Sequence, residues 1–294
     1  MKKLRFKYGM RLDFSSPVTG HYFALRCVPQ NSARQKICLT RCQVLPEGNL
    51  NEIRDGFGNM KLTGCILDPH DFFEYNIEGI AMVRGMGEEK EPLHPMYKYP
   101  SRYTAFEPVI ADYGMRLLRD CQSQGAYTPL EKAVLVMNDL YRHFSYEPFV
   151  TGIHTTAAQA LSLGKGVCQD FAHIMIALMR YLGVPARYVN GLMIGEGFSH
   201  AWVEIYTGTG WYGLDPTNCL HIDDYYIKLA WGRDYGDCVV DKGRFLGSAA
   251  QTQNISVNVE EIRDDSDCCI HGTAGGRAPA DQKEPDHAGA SHRG

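Results

Sequence analysis

The segment from Cys168 to Leu182 constrains the fold more than any other. It carries Phe171, Ile174, Met175, Ile176, Ala177, Leu178, Met179, Tyr181 and Leu182, so it is apolar on nearly every face. A helix of that kind belongs in the interior of its domain. No stretch of the chain reaches the ~18 consecutive apolar residues that a membrane-spanning helix needs, so other elements must wrap this one. Gly183-Val184-Pro185 ends the helix, and Ala186 to Ile194, Ser199 to Tyr206 and Trp211 to Asp215 then read as strands. Upstream, Thr128-Pro129 supplies an N-cap followed by proline at the first helical position, and Thr155 or Thr156 can cap a short helix through Leu163. This half of the chain is therefore mixed α and β.

The first ninety or so residues read differently. Leu4 to Phe14, His21 to Val28, Lys36 to Leu45, Gly58 to Leu67 and Phe72 to Val83 are β-rich runs separated by Pro, Gly and Asn clusters. Met86-Gly87 and then Pro92, Pro95 and Pro100 mark a connection in which neither helix nor central strand continues easily. The expected organisation is α+β: an antiparallel β domain over 1–100, a second domain over 101–263, and a disordered tail over 264–294. A length of 294 residues suits two domains.

Thirty Lys plus Arg stand against 34 Asp plus Glu, a net charge of -4. No basic excess is available to neutralise a nucleic-acid backbone. The basic start, Met1 to Lys7, is followed by Arg11 and Asp13, which interrupt any signal-like apolar run. The expectation is a cytoplasmic protein, without membrane or nucleic-acid partners, whose ten cysteines are mostly free thiols.

Among those thiols Cys168 has a distinctive setting, because Gly164-Lys165-Gly166-Val167 stops just before it and the buried helix starts at it. Unpaired amides and the positive end of a helix dipole favour thiolate over thiol there and can donate to a developing oxyanion. Taken alone, Cys168 reads sooner as a buried small hydrophobe than as a nucleophile, so its neighbours decide. Alternation along Ser199 to Tyr206 puts His200, Trp202 and Glu204 on one face, and along Trp211 to Asp215 it groups Trp211, Gly213 and Asp215. A two-residue hairpin loop at Thr207-Gly208 would set His200 directly opposite Asp215. A Gly208-Thr209 loop, with glycine first as a type II′ turn prefers, would set them diagonally. Either register brings a carboxylate to an imidazole, which fixes its tautomer and stabilises its charged form.

Other residues take supporting readings. Gln169 and Asp170 fall in the first helical turn, where Asp170 can cap the helix or pair with Arg187 or Arg233. His173 lies five residues past Cys168, some 140° away around the helix. Trp202 and Trp211 either wall the cleft or pack the core. Cys219 with His221, and Cys268-Cys269-Ile270-His271, lack the second spaced pair of a structural zinc site. No metal or cofactor is expected.

Four blocks now stand in order: Gly166-Val167-Cys168-Gln169-Asp170-Phe171-Ala172-His173, Gly183-Val184-Pro185-Ala186-Arg187-Tyr188-Val189, Ser199-His200-Ala201-Trp202-Val203-Glu204, and Trp211 with Leu214-Asp215-Pro216-Thr217-Asn218. Together they resemble the bacterial transglutaminase-like cysteine peptidase family, and the β-rich start resembles the region that often precedes that core. Trp231 to Asp237 resembles a further family block, whereas Cys238-Val239-Val240 departs from the pattern. The resemblance implies a papain-like core with Cys168 as nucleophile, His200 as general base and acid and Asp215 as orienter. It also implies acyl transfer from a peptide, protein or small amide through a thioester. Hydrolysis is the leading expectation, followed by transfer to an amine and by a binding protein that has kept the fold.

Overall fold

The structure is a computed structural model that describes residues 1–262; the expected tail lies outside the described residues. It opens with five strands: β1 Lys2–Leu25, β2 Gln35–Leu45, β3 Asn49–Arg54, β4 Met60–Ile66 and β5 His70–Val83. After a connection follow α1 Pro108–Gln124, α2 Pro129–His143, β6 Ser145–Tyr146, α3 Ala157–Leu163, β7 Lys165–Gly166 and α4 Cys168–Tyr181. Strands β8 Ala186–Met193, β9 Gly195–Gly197, β10 His200–Tyr206, β11 Trp211–Asp215, β12 Leu220–His221 and β13 Tyr226–Gly232 come next, then β14 Asp241–Leu246 and β15 Gln251–Glu261.

The α+β expectation agrees with this architecture. Thr128 caps α2 and Thr156 caps α3, each in a reciprocal capping box with the Glu131 or Gln159 three residues on. Helix α4 is buried from Asp170 to Arg180. It packs on a five-stranded antiparallel sheet ordered β12-β11-β10-β8-β13. Ala201, Val203, Ile205 and Leu214 turn toward it in one core. Arg180 is buried in the last turn of that helix and donates to the carbonyls of Tyr97, Ala186 and Arg233, tying the connection to the core.

Two features differ from the sequence reading. The runs expected as separate strands, Leu4 to Phe14 and His21 to Val28, form one bent strand whose pairing slips between Asp13 and Val18 and between Thr19 and Tyr22. Pro17 and Gly20 sit at those slips, and Gly20 has φ 54, so they mark bulges and not an end. Residues 241–261 are not part of the second half. β15 pairs with β1 along Leu4 to Phe14, opposite β5, and β14 pairs with the end of β1. The β domain is thus built from both ends of the chain, and the second core is inserted within it.

A charged cluster is buried on the other face of the five-stranded sheet. Arg187 donates to Glu204 at 2.7 Å and to Glu91 at 2.9 Å, and Lys228 meets Glu204 at 2.7 Å and Glu89 at 2.6 Å. The Arg187 guanidinium lies 4.2 Å from the centre of the Trp211 ring.

Candidate active site

Short parallel pairing of β7 with β6 delivers the chain to the start of α4. Val167 is extended and offers no side-chain cap. The carboxylate of Asp170 reaches back instead, accepting from the Val167 amide at 2.8 Å and from Thr151 Oγ1 at 2.6 Å. Of the roles weighed for Asp170, capping is the one observed. Arg187 and Arg233 are engaged elsewhere, Arg233 with Asp237. Burial raises the Asp170 carboxyl, against the pull of these two bonds. A Cβ at Gly166 would collide with the Asp170 carboxylate, so only glycine admits this cap. Gly166→Ala is expected to cost about 1–3 kcal/mol by overpacking, read as a fall in thermal midpoint. Adding Asp170→Ala should make the double variant less destabilised than the two single losses summed, and strict additivity would count against the contact.

The β10–β11 hairpin sets Val203 opposite Leu214 and Glu204 opposite Gly213. It closes over Gly208-Thr209, with Thr207 N donating to Gly210 O at 3.0 Å and Gly208 at φ 113. This is the diagonal register of the two foreseen. His200 Nε2 donates to Asp215 Oδ2 at 2.8 Å. Cys168 acts on the same ring and favours its charged form, and with Nε2 committed to Asp215, Nδ1 is the nitrogen left for sulfur. Burial disfavours a charged imidazole, but the bond to Asp215 and the nearness of Cys168 outweigh it and raise His200 from 6.5 to about 10.

Asp215 is wholly buried. Its Oδ2 also accepts from Asn218 Nδ2 at 2.8 Å and Tyr226 OH at 3.0 Å, and its Oδ1 from the amides of Thr217 and Asn218. Burial alone would raise this carboxyl, yet His200, Asn218 and Tyr226 hold it below its ordinary value. Asn218 and Tyr226 were not among the residues singled out. Asp-Pro-Thr-Asn carries an Asx-turn signal for the first, but Tyr226 reaches in from β13, three strands away, and leaves no local trace.

Trp202 and Trp211 are both 1% exposed, so neither walls an open cleft. Trp202 packs edge-on against Tyr226, 5.6 Å between ring centres, and so backs the group that holds Asp215. Trp211 lies with Tyr97 and Tyr206 beside the buried charges. Gln169 makes one long contact, from Nε2 to Ile153 O at 3.5 Å. His173 is buried, stacks on Tyr103 and accepts from the Tyr235 amide at 3.1 Å. Cys219 meets Asn138 and His221 meets Tyr212.

A cysteine at a helix start beside a strand histidine and its buried carboxylate, on a core inserted into a β domain, is an arrangement in keeping with a transglutaminase-like core. The family models agree: residues 118–216 match the transglutaminase-like superfamily core and residues 4–82 the bacterial transglutaminase-like N-terminal region. The chain therefore carries a transglutaminase-like core preceded by the bacterial transglutaminase-like N-terminal region. An uncharacterized protein of Mycobacterium leprae is 27% identical over 89% of this chain and 100% of its own length, and one of Mycobacterium tuberculosis is 29% identical over 90% and 94%. A protein-glutamine gamma-glutamyltransferase of Pseudomonas aeruginosa is 30% identical over 26% of this chain and 15% of its own. A solved Cytophaga hutchinsonii structure, provisionally described as a cysteine protease, superposes with a TM-score of 0.72 at 23% identity over 90% of this chain and 92% of its own, and shares the fold. Among the described residues no helix is long and apolar enough to cross a membrane.

Proposed function

We propose that the chain is a cysteine-dependent hydrolase of amide bonds, a peptidase or amidase, with Cys168 as nucleophile. The observation that carries this reading is the line from buried Asp215 through His200 to Cys168 at the first turn of α4. His200 takes the thiol proton, and the sulfur attacks the amide carbonyl. The Cys168 and Gln169 amides at the start of α4, which no carbonyl of the helix can accept from, face the developing oxyanion. His200 then returns the proton to the nitrogen as the C–N bond breaks, leaving a thioester and a free amine. Water, losing its proton to His200, cleaves the thioester to a carboxylic acid and restores the thiol. Free thiols at all eight cysteines of the described residues suit a reducing compartment, and the proposal places the protein in the cytoplasm.

Iodoacetamide should alkylate Cys168 about tenfold faster than the other thiols, read by peptide mass spectrometry. His200→Ala should remove that advantage. Uniform labelling indifferent to His200 would reject the enzyme and leave a binding protein with this fold. The short match to a gamma-glutamyltransferase favours a second reading, in which an amine replaces water. A labelled primary amine in excess tests it: no amide product rejects transfer.

A further inference from the structure

A cavity of about 590 Å³ opens beside the candidate site, and both halves of the molecule line it. On the core side stand Ser199, which precedes His200, and Ile153, whose carbonyl meets Gln169. On the β side, Asp241 to Gly243 of β14 and Gln251, Gln253 and Ile255 of β15 form the wall. β15 also pairs with β9, the strand that leads into Ser199 and His200, so the wall and the histidine are fastened together.

Three observations describe what the cavity would hold. Asn190 lines it, stands opposite Ala201 in the strand next to His200, and is 5% exposed, yet its Oδ1 has no hydrogen-bond partner. Such an atom is costly to leave unmet and calls for an N–H donor. Arg102 from the connection and Lys242 from β14 line the cavity as well, and neither forms an ion pair among the described residues. The carboxylate on this wall, Asp241, is engaged by Tyr75 and Gln253, and burial raises it against the pull of those bonds.

We propose that this cavity is the acyl-donor subsite and that it selects acidic peptides, an inference that rests on Cys168 as the nucleophile it serves. A substrate N–H donates to Asn190 Oδ1, and a side-chain or terminal carboxylate lies between Arg102 and Lys242. The β domain thereby sets specificity for the chemistry of the inserted core.

The test is binding to full-length protein with Cys168→Ala, which separates recognition from turnover. Three fluorescent acetylated tripeptide amides, alike except for a central Glu, Gln or Lys, are titrated by anisotropy at low salt. The Glu peptide should bind about tenfold tighter than the other two. Arg102→Glu and Lys242→Glu, both at exposed positions, should each abolish that preference, and Asn190→Leu should weaken all three peptides alike. Should Asn190→Leu fail to fold, the two charge reversals decide. Equal affinities, no binding by any peptide, or a preference untouched by both reversals overturns the proposal. Iodoacetamide labelling of the unmodified protein distinguishes the failures. Fast labelling without peptide discrimination removes the subsite and keeps the thiol chemistry, whereas acidic preference with an ordinary Cys168 removes the chemistry and keeps the subsite.

Discussion

Asp215→Asn is expected to lower amide hydrolysis on the order of 10³- to 10⁴-fold while the protein stays folded. The substitution keeps the volume of a fully buried side chain but places an uncharged amide where Oδ2 takes hydrogen bonds from His200, Asn218 and Tyr226. The imidazolium then loses its chief support against burial. In the parent protein that support raises His200 to about 10, so it is fully present below the ordinary 6.5 and fades as pH climbs through about 10. Asp215→Asn should therefore draw the alkaline limb of hydrolysis down from near 10 toward or below 6.5, and slow alkylation of Cys168 at pH 7. An unchanged limb would mean that Asp215 is a structural acceptor and no orienter of His200.

Glu204→Ala should destabilise the fold by about 3–5 kcal/mol, because it strips a shared carboxylate from two buried cations. Arg187 is 0% exposed and Lys228 is nearly as deep, and the outer carboxylates of Glu89 and Glu91 cannot replace an acceptor that contacts both. Burial works to raise the Glu204 carboxyl, but Lys228 and Arg187 hold it down at about 2. Its contribution is thus present above the ordinary 4.5 and lost as pH falls from there through about 2. Urea unfolding at pH 7 and pH 3 reads both effects: the midpoint gap between parent and variant should be wide at pH 7 and narrower at pH 3. A loss below about 1 kcal/mol at pH 7, typical of exposed pairs, would contradict the role given to the cluster.

What could be read in advance follows from how local each signal was. Helix α4 announces itself through fifteen successive residues, from Cys168 to Leu182, and the β10–β11 hairpin through alternation around Gly208. Both needed only neighbours in the chain. β15 has Ile255, Val257 and Val259 among polar residues, too faint to show that its partner is the first strand. β3 is exposed throughout and has no buried face to impose a pattern. Trp211 shares a face with Asp215, as alternation requires, but at ~3.3 Å per residue it lies about 13 Å down the strand. Sharing a face is not sharing a site. Tyr226 shows the converse, a group that touches Asp215 only because β13 and β8 pair in three dimensions.

The threading of the β domain bears on when this molecule comes to life. Its first strand waits for a partner that is among the last described residues of the chain, so the sheet closes only when residue 261 has been made. A growing chain translated through Asp215 already holds the cysteine, the histidine and the carboxylate, but lacks Tyr226 behind them and the wall beside them. The wall beside the thiol therefore forms only after β15 has been synthesised, some ninety residues after Cys168.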